Sequence, residues 1–533
     1  MQFLRKTQSF RFLWTPLTNF LNYESLKQQY KPEVPEYFNF ATDVLDKWTE
    51  MEKEGKRPTR LALWWVNDKG DEVRWNFEEL GFRSRKVANV LSEVCGLQKG
   101  DRVMLILPRI PEWWLINVAC MRTGTILIPG TTQLTAKDIL HRVQTSKPKC
   151  IITDDVLAPA VDCIVSELAA TVKVLNQDPM TIFFTSGTTG SPKMTEHSHS
   201  SYGIGLTVNG RYWLDLTSSD ILWNTSDTGW AKSAWSSIFA PWIQGACVFV
   251  HSMPRFDPTT VLDTLSRFPI TTFCSAPTAY RMLVQHNLTS YKFNSLQHCV
   301  SAGEPINPEV MEQWKKQTGL DIYEGYGQTE TVLVCGTFKG MKIKPGSMGM
   351  PSPAYDVKII DEHGNILPPG EEGDIAIKTK PTRPFCLFNQ YIVRNFTNLN
   401  WNFYITGDKG IVDEDGYFWF VGRSDDVINS AGYRIGPFEV ESALIEHPAV
   451  VESAVVSSPD PIRGEVVKAF VVLASDYVSH DPEKLIQELQ DHVKKVTAPY
   501  KYPRKVEFVQ QLPKTVSGKI RRNELRKQEW GKA

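Results

Sequence analysis

A sequence of 533 residues exceeds what one ordinary hydrophobic core supports, so roughly two to four structural units are expected. Hydrophobic residues at 42% and charged residues at 22% describe a folded globular protein, and 59 Lys+Arg against 60 Asp+Glu leave a formal charge of -1. That balance excludes the global field that nucleic acid or an anionic membrane would call for.

The 9 cysteines are scattered and never in Cys-x-x-Cys spacing, so reduced thiols in a reducing compartment are expected. Apolar runs such as 238–250 fall below the ~18 residues that span a bilayer, so no transmembrane segment is expected. No acidic residue precedes Glu24, while Arg5, Lys6 and Arg11 alternate with Phe3, Leu4, Phe10, Phe12, Leu13 and Trp14. The pattern predicts a mitochondrial targeting segment over residues 1–30, with a frayed terminus as the plainer alternative, and a fold that starts near Val34. From Asn39 to Leu175, helical patterns over 77–91 and through Trp113, Trp114 and Val118 alternate with apolar strands over 103–107 and 126–128. The same alternation returns over 248–251, 259–267, 270–274, 279–285 and 298–301, which predicts α/β layering around a buried sheet. Residues 356–360, a turn over 362–365 and residues 374–378 predict antiparallel β structure that closes this body as a subdomain. After an aromatic strand over 417–421, the charged stretch 422–426 marks a domain boundary. Beyond it come a helix opened by Pro437, strands near 454–457 and 466–473, a helix from Pro482, and a strand over 506–509 followed by a basic tail. The expected fold class is α/β: a large N-terminal domain of layered α/β subdomains plus a β subdomain over 34–422, and a small α+β C-terminal domain over 423–533.

Four motifs, taken in chain order, carry chemistry. The first, Thr185-Ser186-Gly187-Thr188-Thr189-Gly190-Ser191-Pro192-Lys193, follows an apolar run. Its glycines let backbone N–H groups turn inward around anionic oxygens while the hydroxyls donate and the lysine supplies charge, the pattern of a phosphate-gripping loop. It is not a Walker A loop, and alone it equally fits a Ser/Thr/Gly-rich surface turn. In Tyr323-Glu324-Gly325-Tyr326-Gly327-Gln328-Thr329-Glu330, Tyr326 offers a face for a base, Thr329 a donor for phosphate and Glu330 a hard oxygen for Mg²⁺. A glycine-rich turn packed on a core is the commoner use of such residues. The strand ending Thr406-Gly407-Asp408 offers a carboxylate that could accept from both hydroxyls of a ribose, although many strands end in Gly-Asp for turn reasons. Arg423 follows fifteen residues on. The last motif carries Lys519, which alone reads as a surface charge.

Taken together, these motifs closely resemble the adenylate-forming superfamily over nearly the whole chain after Val34. More narrowly, Trp64-Trp-Val-Asn67, Leu107-Pro-Arg-Ile-Pro-Glu-Trp-Trp-Leu115, Ser226-Asp-Thr-Gly-Trp230 and Val496-Thr-Ala-Pro-Tyr-Lys-Tyr-Pro-Arg-Lys505 are similar to the mitochondrial medium-chain acyl-CoA synthetases. The resemblance implies an enzyme of the mitochondrial matrix, monomeric by preference, that uses ATP, Mg²⁺ and coenzyme A. A medium-chain fatty or aromatic carboxylate would attack the α-phosphate to give acyl-AMP and pyrophosphate, and the coenzyme A thiol would then displace AMP. It assigns catalysis to Lys519, Thr329 and Glu330, with Glu330 on the metal. The nucleotide would meet Gln133, residues 185–193, residues 324–329, Asp408 and Arg423, and the acyl group Trp230, Gly327 and Thr329. Acetate-using relatives carry tryptophan where Gly327 stands, so an open acyl channel is expected there. The small domain would turn about Asp425 to bring Ala431, Gly432, Tyr433 and Arg434 to the pantetheine chain and Arg463, Lys494 and Tyr502 to the nucleotide end of coenzyme A. Two departures stand out: residues 161–179 read as shorter than the family pattern, and residues 389–402 lack its usual residues. A carrier-loading adenylation domain, disfavoured because no carrier domain follows Ala533, and an inactive nucleotide sensor are the rival readings.

Overall fold

The computed structural model describes residues 23–30, 32–154, 174–185, 193–253, 255–392, 399–400, 402–424, 426–430, 433–460, 464–497, 499–514 and 519–531. Local signals and burial agree in the first α/β layer. Asn76 caps the helix Phe77–Asn89 through a reciprocal bond with Glu79, and Phe77, Leu80, Ser84 and Ala88 form its buried face. Pro111 opens the helix Pro111–Thr123, and Gly124, at φ 70°, closes it in the left-handed conformation that glycine adopts without penalty. The flanking strands Arg102–Ile106 and Ile126–Pro129 are apolar on both faces and run parallel, Val103 opposite Leu127, as a sheet covered by helices on both sides requires.

Two sheets make the large body. In one of six strands the order is Gln390–Tyr391, Lys193–Ser198, Pro179–Thr185, Ile126–Pro129, Arg102–Ile106 and Cys150–Thr153. The other has fourteen strands, and its middle is the parallel run Ile322–Gly327, His298–Ala302, Thr272–Ser275, Ile221–Asn224, Cys247–Ser252 and Leu61–Asn67. The antiparallel strands expected as a β subdomain lie at one end of this sheet, in the order Ile322–Gly327, Leu333–Gly336, Ser347–Pro351, Phe418–Arg423, Phe403–Val412, Gly373–Lys378 and Val357–Ile360. Residues 362–365 do form a turn, held by three bonds to Asp361, and the strands Val357–Ile360 and Gly373–Lys378 pair antiparallel. A separate five-stranded sheet, built on the long pair Val450–Asp460 and Gly464–Leu473, carries the helices Pro437–Ile445 and Pro482–Val496. Leu485, Leu489 and Val493 of the second helix are buried against it.

The structure differs from the sequence reading at both ends. Residues Tyr23–Gln29 form a helix docked on the large body, with Leu26 buried and Tyr23 donating to the Pro351 carbonyl at 2.7 Å, so the fold begins ahead of Val34. Within the presumed basic tail, Arg522–Trp530 is a helix whose Leu525 and Glu529 are buried. The shortened stretch before the phosphate loop lies largely outside the described residues.

Candidate active site

Parallel strands leave backbone groups and loops at their C-terminal ends, and a crevice outside those ends is where α/β sheets hold ligands. Here a cleft of about 430 Å³ opens at the ends of His298–Ala302 and Ile322–Gly327 and is roofed by residues of the C-terminal region. Its lining includes Thr185, Lys193, the whole run Glu324 to Glu330, Asp408, Arg423 and Lys519. The sequence motifs therefore converge on one space, although they are spread over more than half the chain.

Antiparallel pairing explains the tightest cluster. The strands Phe403–Val412 and Phe418–Arg423 place Asp408 directly opposite Arg423, and Arg423 Nη1 donates to Asp408 Oδ1 at 2.8 Å. Asp408 Oδ2 accepts from the Tyr326 hydroxyl at 2.6 Å and from Gln328 Nε2 at 2.7 Å. A carboxylate has about four acceptor positions, so one stays open for a hydroxyl in the cleft. Burial and the adjoining Asp408 charge push the Tyr326 phenol well above its ordinary value, which keeps it a donor.

Glu324 is a second carboxylate in the wall, 3% exposed. Its Oε1 accepts a long 3.4 Å bond from Ile306 N–H, and Oε2 meets no partner among the described residues. Burial raises its carboxyl to about 8.

Glu330 is the remaining acidic group at this turn. Among the described residues no group of three or more His, Cys, Asp or Glu could hold a metal ion, so any metal here would rest on fewer protein ligands. That suits Mg²⁺, which binds through one or two carboxylates while substrate phosphates and water complete its shell. Glu330 Oε1 accepts from the Tyr391 hydroxyl at 2.7 Å.

Not every expected site residue lines the cleft. Gln133 is exposed and absent from the cleft lining, and Trp230 is half-buried and likewise absent. Gly327 does line the cleft, and a Cβ there would sit 2.6 Å from the Val332 carbonyl oxygen and 2.8 Å from Trp235 Cη2. Close approach of backbone and indole is why glycine stands at this position. Lys494 and Tyr502 are brought together, with the ammonium 4.5 Å over the ring and Arg504 donating to the hydroxyl at 2.7 Å, at a place that is not part of the cleft lining. Tyr433 and Arg434 form part of a short strand. Ser186, Gly187, Thr188, Thr189, Gly190, Ser191, Pro192, Asp425, Ala431, Gly432 and Arg463 lie outside the described residues.

Three side chains near the site were not singled out from sequence. Tyr391 lines the cleft, and His197 is fully buried with Nε2 2.6 Å from the Thr329 carbonyl oxygen. Burial pushes its imidazole down to about 3, so it is neutral. Lys232 donates to the carbonyls of Ser275 and Ala302 at 3.0 and 2.8 Å and ties together two strand ends beside the cleft. The order Trp230-Ala-Lys232 was the available signal for the last of these, since a lysine inside an apolar helical run needs a partner.

Residues 51–391 match the AMP-binding enzyme family and residues 439–519 the AMP-binding enzyme C-terminal domain. The mitochondrial acyl-coenzyme A synthetase ACSM3 of Mus musculus is 68% identical over 545 residues, which cover 96% of this chain and 94% of that protein. Among solved structures, the anthranilate CoA ligase AuaEII in complex with anthranoyl-AMP superposes with a TM-score of 0.83 at 29% identity, covering 93% of this chain and 98% of the other. ATP-bound MatB from Rhodopseudomonas palustris does so with a TM-score of 0.79 at 26% identity, covering 91% and 99%. The alignment with the mouse protein is longer than the 533 residues here, so that relative carries residues this chain lacks.

Proposed function

We infer that this chain, which belongs to the AMP-binding enzyme family, joins a medium-chain carboxylic acid to coenzyme A through an acyl-AMP intermediate, with release of AMP and pyrophosphate. The observation that carries the reading is the convergence of Asp408, Arg423, Glu330, Lys193 and Lys519 on one cleft. In this reading Asp408, already oriented by Arg423, Gln328 and Tyr326, accepts from the ribose. Lys193 and the 185–193 loop hold the phosphates. Glu330 would hold Mg²⁺, which supplies positive charge to the phosphate oxygens when bound. Lys519 and the Thr329 hydroxyl face the α-phosphate, where negative charge grows as the acid attacks. Their contribution is positioning and electrostatic stabilisation, the main sources of rate in phosphoryl-type transfer. For the second step the small domain, residues 423–533, turns about Asp425 and exchanges the Lys519 segment for residues 431–434. Lys494, Tyr502 and Arg463 then meet the nucleotide end of coenzyme A. The chain acts in the mitochondrion, as its relatives' names indicate, and we place it in the matrix.

Pyrophosphate release with octanoate, ATP and Mg²⁺ tests the reading. Octanoate-dependent release that stops near one equivalent without coenzyme A, and turns over with it, is expected. Release that is indifferent to coenzyme A points to a carrier-loading enzyme instead, and nucleotide binding without release to a sensor.

A further inference from the structure

We propose that Tyr391 and His197 are positioning residues that lock the Thr329–Glu330 turn to the strand leaving the phosphate loop. The inference rests on the proposed function, because it concerns how the carboxylate assigned to Mg²⁺ is aimed. Strand Lys193–Ser198 starts at the last residue of the 185–193 loop. Its outer edge is paired antiparallel by Gln390–Tyr391, with Tyr391 opposite Thr195 and Gln390 opposite Glu196. The pairing is reinforced by Asn389 N–H to the Glu196 carbonyl at 2.7 Å and Ile392 N–H to the Met194 carbonyl at 3.1 Å. From this two-stranded edge three bonds reach the turn. The Tyr391 hydroxyl donates to Glu330 Oε1 at 2.7 Å, Phe388 N–H to the Glu330 carbonyl at 2.8 Å, and His197 Nε2 to the Thr329 carbonyl at 2.6 Å.

The bonds fix orientation as well as distance. A carbonyl can only accept, so the proton of His197 sits on Nε2, and Nδ1 must accept from the Ser201 hydroxyl 2.9 Å away. Ser201 Oγ in turn accepts from Ser198 N–H at 3.0 Å, which closes the chain back on the same strand. On the other side the Lys193 ammonium lies 5.2 Å over the Tyr391 ring, so one tyrosine touches both the phosphate-loop cation and the carboxylate. Groups that hold a metal-binding side chain from behind typically govern metal affinity by 10–100-fold, because they set the direction of its lone pairs. Tyr391 leaves Glu330 its second oxygen and fixes where it points.

Full-length wild-type protein and the variants Tyr391→Phe, His197→Gln and His197→Ala decide the matter. Three quantities are measured: the Mg²⁺ concentration at half-maximal octanoate-dependent pyrophosphate release, the calorimetric affinity for a non-hydrolysable ATP analogue with Mg²⁺ and with EDTA, and thioester formation from supplied octanoyl-AMP. Tyr391→Phe should raise the half-saturating Mg²⁺ about tenfold and erase about tenfold of the metal-dependent gain in nucleotide affinity, with thioester formation within about twofold of wild type. His197→Gln keeps an N–H donor and should stay near wild type, whereas His197→Ala should follow Tyr391→Phe. Unchanged Mg²⁺ dependence and affinity in Tyr391→Phe would overturn the inference, and so would a parallel loss of thioester formation, which marks a general packing defect. Wild-type protein without octanoate-dependent release would overturn the proposed function, while the calorimetric comparison would still decide the role of Tyr391.

Discussion

Glu324 shows what burial does to one residue. Because burial raises its carboxyl to about 8 from the ordinary 4.5, the folded state keeps a proton that the unfolded chain gives up between those values. The folded protein thus binds more protons in that window, and stability falls as pH rises through it. Glu324→Gln removes the charge and keeps the shape. Without ligand it should be more stable than wild type by about 2–4 kcal/mol at pH 8.5 and nearly equal at pH 5, read from melting curves at both values. Equal gaps at the two pH values would count against the assignment. Trp235 governs size at the turn, since its indole fills the space behind Gly327 and its N–H donates to the Tyr202 hydroxyl at 2.8 Å. Trp235→Leu should open room for several methylenes, each worth ~0.8 kcal/mol, and raise the kcat/KM of dodecanoate over butyrate at least about tenfold. The unpaired Tyr202 hydroxyl should cost about 1–3 kcal/mol in stability. An unaltered ratio would show that the acyl group lies elsewhere.

Among the elements, the C-terminal helix Arg522–Trp530 makes the strongest demand on its partners. Lys468, 9% exposed at its side chain, is paired with Glu529 at 2.7 Å and with Glu507 at 2.6 Å, while Arg522 grips Glu441 with two nitrogens at 2.9 and 2.6 Å. Removing one partner of a buried pair leaves an uncompensated charge, and here Glu507 offsets part of it. Glu529→Ala should therefore lower the stability of the small domain by about 2–3 kcal/mol in chemical denaturation, and an unchanged midpoint would refute the ion-pair account. Sequence reading could not find this helix, because Arg521, Arg522, Arg526 and Lys527 mask an apolar face reduced to Leu525 and Trp530. Strands such as Ile126–Pro129 were legible because burial on both faces leaves a continuous apolar run. The motifs were legible because each gathers its chemistry within a few residues. Tyr391 and His197 were not, since their roles depend on a register pairing Gln390 with Glu196 and on a contact from His197 to Thr329, both far apart in sequence. At Gly327 the sequence shows the absence of a side chain but not the Trp235 indole that stands beside it.

At the scale of the whole molecule, the cleft joins groups from both regions. Asp408 and Glu330 come from the large body, while Lys519, Glu441 and Arg522 come from the C-terminal region, and Asn307 Nδ2 donates across to Ser442 Oγ at 3.1 Å. Lys494, Tyr502 and Arg504 form their own basic-aromatic cluster on that same region without lining the cleft. The C-terminal region thus carries two sets of functional candidates, of which only the Lys519 set lines the cleft here. In the proposed function the two sets are used in turn. Lys519→Ala should lower octanoate-dependent pyrophosphate release by about a hundredfold or more, as loss of an electrostatic transition-state contact does, and leave thioester formation from supplied octanoyl-AMP within about threefold of wild type. Lys494→Ala removes a surface cation stacked on Tyr502 and should do the opposite: pyrophosphate release in the absence of coenzyme A stays unchanged, while KM for coenzyme A rises about fivefold to tenfold, the effect of one lost charge-assisted contact. Single-turnover measurements of each half-reaction separate the two patterns, and equal loss of both halves in both variants would mean that the domain works from one orientation.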